Sequence, residues 1–228
     1  MANPYFTKQG MTFLRKLAKN NDRDWFNEHK PVYETEVREP ALQFIRDMAD
    51  DLAVISPHFT AQAKKVGGSL MRIYRDVRFG YDKRPYKTNI GIQFRHELGK
   101  DVHTPGFYVH IEPGECFVGV GIWRPDSTAL GKIRDHINEQ SVQWLAAKKD
   151  KAFKKHFVLS GESLVRPPRG FTKDHPLLED IKRKDFIAIC HIDDDMALSG
   201  RFKSTVLSRF RAADNYIQFL SKALDLKY

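Results

Sequence analysis

The chain has 228 residues, of which 41% are apolar and 12% aromatic, so it can bury a substantial core. This composition excludes disorder of the chain as a whole, a collagen-like sequence and, with only 2 cysteines, a disulfide-rich scaffold. The 38 basic and 29 acidic side chains give a formal net charge of +9, and the excess is concentrated in residues 61–110 and 151–228. Such clusters of positive charge favour anionic partners.

The first part of the chain, residues 1–57, is predicted to be helical. Thr7 is a candidate N-cap for a helix that places Phe13 on its apolar face. A longer apolar pattern with the period of an α-helix follows and continues to Ile55. Pro40 lies inside this pattern, so we expect it to kink or divide the helix.

Between residues 69 and 123 apolar and polar residues alternate, which is typical of strands with one buried face. Turn residues separate four such segments, which read SLMRIYRDV, NIGIQFRHE, GFYVHIEP and CFVGVGIW. Short connections such as EPGE favour antiparallel neighbours, and they therefore predict an antiparallel β-meander.

Residues 126–228 are predicted to contain further helices, a final strand with the sequence FIAICHI and a long C-terminal helix from Lys203 to Leu226. No repeat or low-complexity linker interrupts the chain. The sequence therefore predicts a single α+β domain over residues 1–228, with N-terminal and C-terminal helices flanking the antiparallel sheet.

Alternation also assigns a second, polar face to the predicted sheet. This face is rich in Arg, Tyr, His and Trp, whereas an ordinary solvated face carries mainly Lys, Glu, Thr and Ser. Gly119 and Gly121 lie on it between Phe117 and Trp123, and glycine in a strand lets another group approach the backbone closely. We predict a pocket with a glycine floor and aromatic walls; a half-exposed sheet without a ligand is the alternative.

The segment from Arg72 to Arg95 carries seven cations but only two carboxylates, Asp76 and Asp82, with Phe79 and other aromatic residues between them. Arginine binds phosphate or carboxylate through two parallel hydrogen bonds, lysine adds a point charge, and aromatic rings can stack on a base or sugar. We predict that a phosphorylated or other anionic small molecule binds to these residues: Arg72, Tyr74, Arg75, Arg78, Lys83, Tyr86, Lys87, Arg95, Gly119, Gly121 and Trp123. In the alternative, ion pairs within the loop only hold it in place.

Three residues are candidates for acid–base catalysis: Asp76, His110 and Glu112. If the protein is an enzyme, phosphoester or nucleotide chemistry is the natural reaction class, but the sequence leaves open whether any reaction occurs. The same three side chains could bind a metal, yet no metal-binding spacing motif is present, so we predict no metal. We also predict no cofactor, since neither a Walker motif nor a GxGxxG fingerprint is found.

Two other function classes stay open. The two basic blocks could form the surface of a nucleic-acid-binding module, and the aromatic polar face could belong to a protein-interaction domain. No membrane partner is expected, because the longest apolar runs are too short to span a bilayer. The N-terminus lacks a signal-peptide pattern and the cysteines form no CxxC motif, so a cytoplasmic location is expected; oligomeric state is left open.

Several long segments resemble the signature blocks of an uncharacterised conserved hypothetical family of bacteria and fungi, domain of unknown function twenty-four sixty-one. These segments are RDWFNEHKPVYE, RIYRDVRFGYDKRPYKTNIGIQFRH, PGFYVHIEPGECFVGVGIW and RPPRGFTKDHPLLEDIKRKDF. The resemblance covers roughly residues 5–225, but it implies no established activity, substrate or catalytic residue. Its blocks coincide with the basic segment and the polar face, which favours a shared site there.

Overall fold

The computed structural model describes residues 3–78, 81–99 and 104–228, and it confirms the α+β fold. The helices are α1 (Lys8–Lys19), α2 (Arg23–Tyr33), α3 (Glu39–Ile55), α4 (Ser127–Glu139), α5 (Ser141–Lys149), α6 (Lys151–His156), α7 (Leu178–Ile181), α8 (Asp194–Ala197), α9 (Phe202–Ala212) and α10 (Asp214–Ala223). The side chain of Thr7 caps α1 by accepting a hydrogen bond from the Gly10 backbone N–H. A π-helical turn over Glu34–Arg38 joins α2 to α3, immediately before Pro40.

The sheet is antiparallel throughout. Its strands are β1 (Phe59–Thr60), β2 (Ile90–His96), β3 (Gly106–Ile111), β4 (Cys116–Ile122), β5 (Val158–Ser160) and β6 (Phe186–Ile192). They are arranged in the order β1-β2-β3-β4-β6-β5, so the predicted meander is present as β2-β3-β4. Gly114 has a φ of 84° in the turn between β3 and β4, a backbone conformation that glycine adopts without steric cost.

One face of the sheet forms the hydrophobic core. Ile92, Phe94, Val109 and Val118 are fully buried on this face, as the alternating pattern predicted. Helices α3, α9 and α10 pack against these strands and exclude water from them. The opposite face is not covered in the same way, so the polar residues that alternate with the core residues are available for a site.

The prediction of a regular strand over SLMRIYRDV was wrong. Leu70 forms a bridge with Ile92, but Tyr74 forms one with Tyr86, so the chain changes partner between these positions and no continuous ladder develops. The backbone N–H of Lys87 donates to the carbonyl of Ile73 at 2.7 Å, and that of Arg75 donates to Pro85 at 2.8 Å. Residues 73–78 and 81–87 therefore form the two arms of what we call the basic hairpin.

The prediction of one continuous C-terminal helix was also wrong. The chain divides into α9 and α10 at Ala213, whose φ and ψ of -100° and 5° depart from helical values. Asp214 follows directly, and aspartate is more favourable in a first helical turn than inside a helix. The hydroxyl of Tyr228 donates a hydrogen bond to the Asp214 carboxylate, which ties the C-terminus to this break. Strands β1 and β5 were missed because each is only two or three residues long.

The basic hairpin is attached to the N-terminal helices through the buried residue Tyr86. The side-chain amide of Asn21 both accepts from the Tyr86 backbone N–H and donates to its carbonyl, each at 3.0 Å. The Tyr86 ring stacks on Phe26 with centroids 4.1 Å apart. The helical part of the protein therefore positions the hairpin relative to the sheet.

Two further properties of the fold concern membrane spans and the cysteines. No helix within the described ranges is long and apolar enough to cross a membrane. Cys116 and Cys190 are both buried free thiols, and burial raises the pKa of each.

Candidate functional site

A cleft of about 440 Å³ lies on the uncovered face of the sheet. Strands β2, β3, β4 and β6 all contribute to its floor and walls, and Lys87 reaches it from the basic hairpin. A larger cleft of about 540 Å³ lies among α4, α5 and α10, but its lining is mostly Gln, Asn and other polar residues and includes none of the predicted site residues. The smaller cleft is therefore the candidate site.

The register of β3 and β4 determines which side chains meet across the floor. Tyr108 lies opposite Gly119, and His110 lies opposite Phe117. The His110 and Phe117 rings are stacked with centroids 4.5 Å apart and planes only 8° from parallel. This pair closes one end of the cleft, and Trp123 stands about six strand residues away at the other end of β4.

The backbone requires glycine at one of the two predicted floor positions, Gly121, but not at the other, Gly119. Gly121 has a φ of 112°, and a Cβ atom there would lie 2.0 Å from the carbonyl oxygen of Phe186, so the backbone itself requires glycine. At Gly119 a Cβ atom would meet nothing closer than Tyr108 at 3.6 Å, which is an ordinary contact. The fold does not require glycine at this position, which is buried beside the side chains of Tyr108 and Phe117 and lines the cleft.

Lys87 is the cation that the structure places in the cleft. Its side chain is half-buried, and its ammonium group has no hydrogen bond or ion pair with any residue that the structure describes. Burial lowers the Lys87 pKa, and the positive charges of Arg72 and Arg75 lower it further. Arg72 is exposed and likewise forms no ion pair within the described part of the chain. Arg72 does not line the cleft, so an incoming anion would meet the Lys87 ammonium directly and Arg72 only as a nearby positive charge.

Other cations of the hairpin face carboxylates of the same loop. Arg78 binds Asp76, and Arg75 and Arg84 both bind Asp82, with shortest N–O distances of 2.7 Å in each pair. Hydrogen bonds from Arg78 and Arg84 hold the pKa values of Asp76 and Asp82 well below their usual range. Asp76 is therefore directed towards Arg78 and does not join His110 and Glu112.

Besides Arg72, Arg75 and Arg78, four more predicted ligand-binding residues do not line the cleft. Tyr86 is buried in the core, and Tyr74, which is 50% exposed, packs against it with centroids 5.4 Å apart. The ammonium of Lys83 donates to the carbonyl of Val77, and the guanidinium of Arg95 donates to the carbonyls of residues 67 and 68. The hairpin aromatic residue Phe79 lies outside the described residues. By contrast, these predicted residues line the cleft: Lys87, His110, Gly119, Gly121 and Trp123.

A hydrogen-bonded chain leads from the turn below the cleft to its interior. The hydroxyl of Thr88 donates to Glu112, and the Glu112 carboxylate lies 3.1 Å from Nε2 of His110. In a neutral imidazole whose Nε2–H donates to the ionised carboxylate, Nδ1 is the unprotonated nitrogen. Nδ1 then has one lone pair, which can accept from the Tyr108 hydroxyl at 3.2 Å or from the side-chain nitrogen of Asn89 at 3.3 Å. Burial raises the pKa of Tyr108 to about 12, so this hydroxyl keeps its proton.

We expect Glu112→Gln to remove a stabilising contribution that depends on pH. The hydrogen bond from His110 lowers the pKa of Glu112 below its ordinary value of 4.5. A carboxyl with a lowered pKa stabilises the fold above its unfolded value, and that contribution is lost as pH falls through the folded value. The free energy of unfolding should drop by about 1 kcal/mol near neutral pH, and this difference should shrink below pH 4.5.

Urea titrations of both proteins over a pH series measure that difference. Glu115→Gln is the matched control, because Glu115 is exposed in the same turn and its carboxylate forms no ion pair with a described residue. A difference for Glu112→Gln that stays constant from neutral to acid pH would contradict the assigned hydrogen bond.

Several cleft residues were not among the predicted site residues. Tyr108 and Gln93 lie on the polar face that alternation had already identified, so the pattern could have included them. Ile187 and Ile189 could not be predicted in this way. They line the cleft because β6 pairs with β4, and the local pattern does not indicate that pairing. Within the described ranges no three His, Cys, Asp or Glu side chains are grouped so that they could hold a metal ion.

A family model described as conserved hypothetical protein (DUF2461) matches residues 9–219. The chain belongs to this family. The DUF2461 match includes the complete cleft and the basic hairpin, so the candidate site lies within the family's own fold. No curated protein and no solved structure matches the chain significantly. Function must therefore be inferred from the geometry of the cleft.

Proposed function

We propose that the cleft binds a phosphorylated or otherwise anionic small molecule whose charged group lies beside Lys87. The observation that carries this proposal is the half-buried Lys87 ammonium, which lines the cleft without a carboxylate partner among the described residues. A partly buried charge without a counter-charge is unfavourable, as the lowered pKa of Lys87 reflects. Binding of an anion relieves this cost.

The surroundings of Lys87 support an anion as the bound group. Arg72 and Arg75 are close enough to lower the pKa of Lys87, so they add positive potential at the same end of the cleft. Asn89 contributes an amide that can donate to a phosphate oxygen. Hydrogen bonds between cations and phosphate are among the strongest in proteins, and several donors at one end of a cleft suit such a group.

The size of the cleft favours a small molecule over a polymer. Small-molecule sites commonly enclose about 300–1,000 Å³, and the cleft falls within this range. Three guanidinium groups of the hairpin, those of Arg75, Arg78 and Arg84, are already paired with carboxylates. This pairing reduces the positive charge available to a nucleic-acid backbone, which is the main source of affinity for nucleic acids.

If the protein catalyses phosphoester or nucleotide chemistry, His110 is the residue that we propose as the general base. In the neutral imidazole whose Nε2–H donates to Glu112, Nδ1 is unprotonated, and it can act as a general base when a substrate hydroxyl or water replaces the hydrogen bond from Tyr108 or Asn89. Glu112 acts as a positioning residue in this scheme. Asp76 has no such place, since it is paired with Arg78 outside the cleft.

Thermal unfolding and calorimetric titration test the proposal. The probes are inorganic phosphate, ribose 5-phosphate, glucose 6-phosphate and the nucleoside monophosphates, each added to the full chain at constant ionic strength. A ligand present at 100 times its Kd stabilises the fold by about 2.7 kcal/mol, a shift that is easily measured. Failure of every probe to bind would overturn the proposal.

Lys87→Met and Lys83→Met form a matched pair of variants. Both remove one ammonium group from the basic hairpin, but the Lys83 ammonium donates to the carbonyl of Val77 and lies outside the cleft. We expect Lys87→Met to weaken binding roughly 10- to 100-fold, because one charge-assisted hydrogen bond is lost. Lys83→Met should change affinity less than about threefold. Equal losses in the two variants would contradict a site at Lys87.

Binding of a single-stranded RNA oligonucleotide tests the alternative function, a nucleic-acid-binding module. Affinity for RNA that falls steeply with salt and is the same for Lys87→Met as for the unsubstituted protein would favour a nucleic-acid surface and contradict the small-molecule site.

A further inference from the structure

A glycine on a central strand, Gly119, forms part of the floor of the cleft. Gly119 lies on β4, which is hydrogen-bonded to β3 on one side and to β6 on the other. Glycine inside a strand weakens the sheet, and neither backbone strain nor a close contact requires it here. Because glycine adds no side-chain volume to the floor, it leaves more of the cleft to a bound group.

The walls of this space are apolar on both sides. Tyr108 of β3 and Phe117 of β4 both come within 3.7 Å of the position that a Gly119 Cβ atom would occupy. On the β6 side, Ile189 lies directly opposite Gly119, and Ile187 lies two residues further along. A sugar here would place its hydroxyls against aliphatic side chains without hydrogen-bond partners, which is unfavourable. An aromatic ring fits these walls.

A polar group is available at the edge of the same space. Gln93 is paired with Tyr108 across β2 and β3, and its half-buried side chain lines the cleft. Its side-chain amide forms no hydrogen bond with any other residue in the described part of the chain. An amide both donates and accepts, so it can bind the edge of a heteroaromatic ring that also carries both kinds of group.

We infer that the ligand is a phosphate monoester that carries a heteroaromatic ring, such as a nucleoside monophosphate, with the ring over Gly119 and the phosphate beside Lys87. This inference rests on the proposed function, since it takes the position of the anion from it. Lys87 and Gly119 line the same cleft of about 440 Å³, so one small molecule can contact both. In a nucleoside monophosphate a pentose links the ring to the phosphate.

Calorimetric titration with matched ligands tests the inference. AMP, GMP, CMP and UMP are compared with ribose 5-phosphate, which lacks the ring, and with adenosine, which lacks the phosphate. We expect at least one monophosphate to bind ten times more tightly than ribose 5-phosphate, and adenosine to bind more weakly than AMP. Equal affinity for the monophosphates and ribose 5-phosphate would overturn the inference but leave the proposed function intact. Absence of binding by every phosphate compound would overturn both.

Gly119→Val distinguishes the two ends of the ligand. The valine methyl groups fill the space above the floor, so the affinity for the monophosphate should fall at least tenfold. Affinity for ribose 5-phosphate should stay within threefold, because the anion end is unchanged. Lys87→Met should weaken both ligands to a similar extent. Undiminished binding of the monophosphate by folded Gly119→Val would contradict the assigned position of the ring.

Gln93→Ala is a second variant that tests where the heteroaromatic ring binds. It replaces Gly119→Val if that variant does not fold. It removes the amide without adding volume. We expect it to reduce the affinity for the preferred monophosphate at least fivefold and to leave ribose 5-phosphate unchanged. Equal effects on the two ligands, or none on either, would contradict a ring that is bound at this edge.

Discussion

Gly121→Ala is expected to destabilise the protein by about 3 kcal/mol or more, which is enough to unfold many proteins of marginal stability. Gly121 has a φ of 112°, a conformation that side chains rarely tolerate, and an added Cβ atom would lie 2.0 Å from the Phe186 carbonyl oxygen. That oxygen belongs to the neighbouring strand β6, which cannot move without disrupting its pairing with β4. Chemical denaturation measures the loss.

Gly119→Ala is the matched control for this prediction. The two glycines lie two residues apart on the same strand and face the same cleft, but only Gly121 has a positive φ. We expect Gly119→Ala to change the free energy of unfolding by less than about 1 kcal/mol. Alanine lowers the conformational entropy of the unfolded chain, which favours a small gain in stability. Similar losses in both variants would show that the backbone conformation assigned to Gly121 is wrong.

Phe26→Ala is expected to cost about 3–5 kcal/mol, the usual range for removing a large aromatic side chain from a core. Phe26 is 1% exposed and contacts residues of two separate parts of the chain. Its ring stacks on Tyr86 of the basic hairpin with centroids 4.1 Å apart and packs against Phe13 of α1 with centroids 6.4 Å apart. Its loss should therefore both destabilise the fold and loosen the hairpin.

Two measurements check this prediction. Denaturation gives the free energy of unfolding, and hydrogen exchange of the Arg75 and Lys87 amides reports on the backbone pairing of the hairpin. Phe26→Leu is the control, because it conserves most of the volume and should cost less than about 1.5 kcal/mol. Loss of stability without faster exchange at these two amides would show that Phe26 does not hold the hairpin.

The central part of the sheet could be predicted from the sequence because each of its strands buries only one face. In β2, β3 and β4 every second residue is apolar, so a single pattern indicates both the strand and the side that faces the core. The same pattern placed His110, Gly119 and Gly121 on one face, where the cleft lies. This part of the prediction depended only on neighbours along the chain.

The basic hairpin shows why the rest could not be predicted. Charge counts alone do not distinguish cations that converge on a ligand from cations that bind carboxylates two residues away, as Arg78 binds Asp76. Tyrosine is common in binding sites, but Tyr86 is buried because it stacks on Phe26, which lies on a helix distant in the sequence. The apolar wall of Ile187 and Ile189 likewise depends on β6 pairing with β4 across more than sixty residues.

The position of β4 in the sheet has a consequence for how quickly a ligand is captured. The floor of the cleft is held by strands on both sides and by packed helices beneath, so it behaves as a preformed, stiff surface. Lys87 belongs to the basic hairpin, which Tyr86 anchors to the N-terminal helices. The floor and the cation are therefore both in place before a ligand arrives, so the frequency of encounters and the ionic strength should govern the association rate.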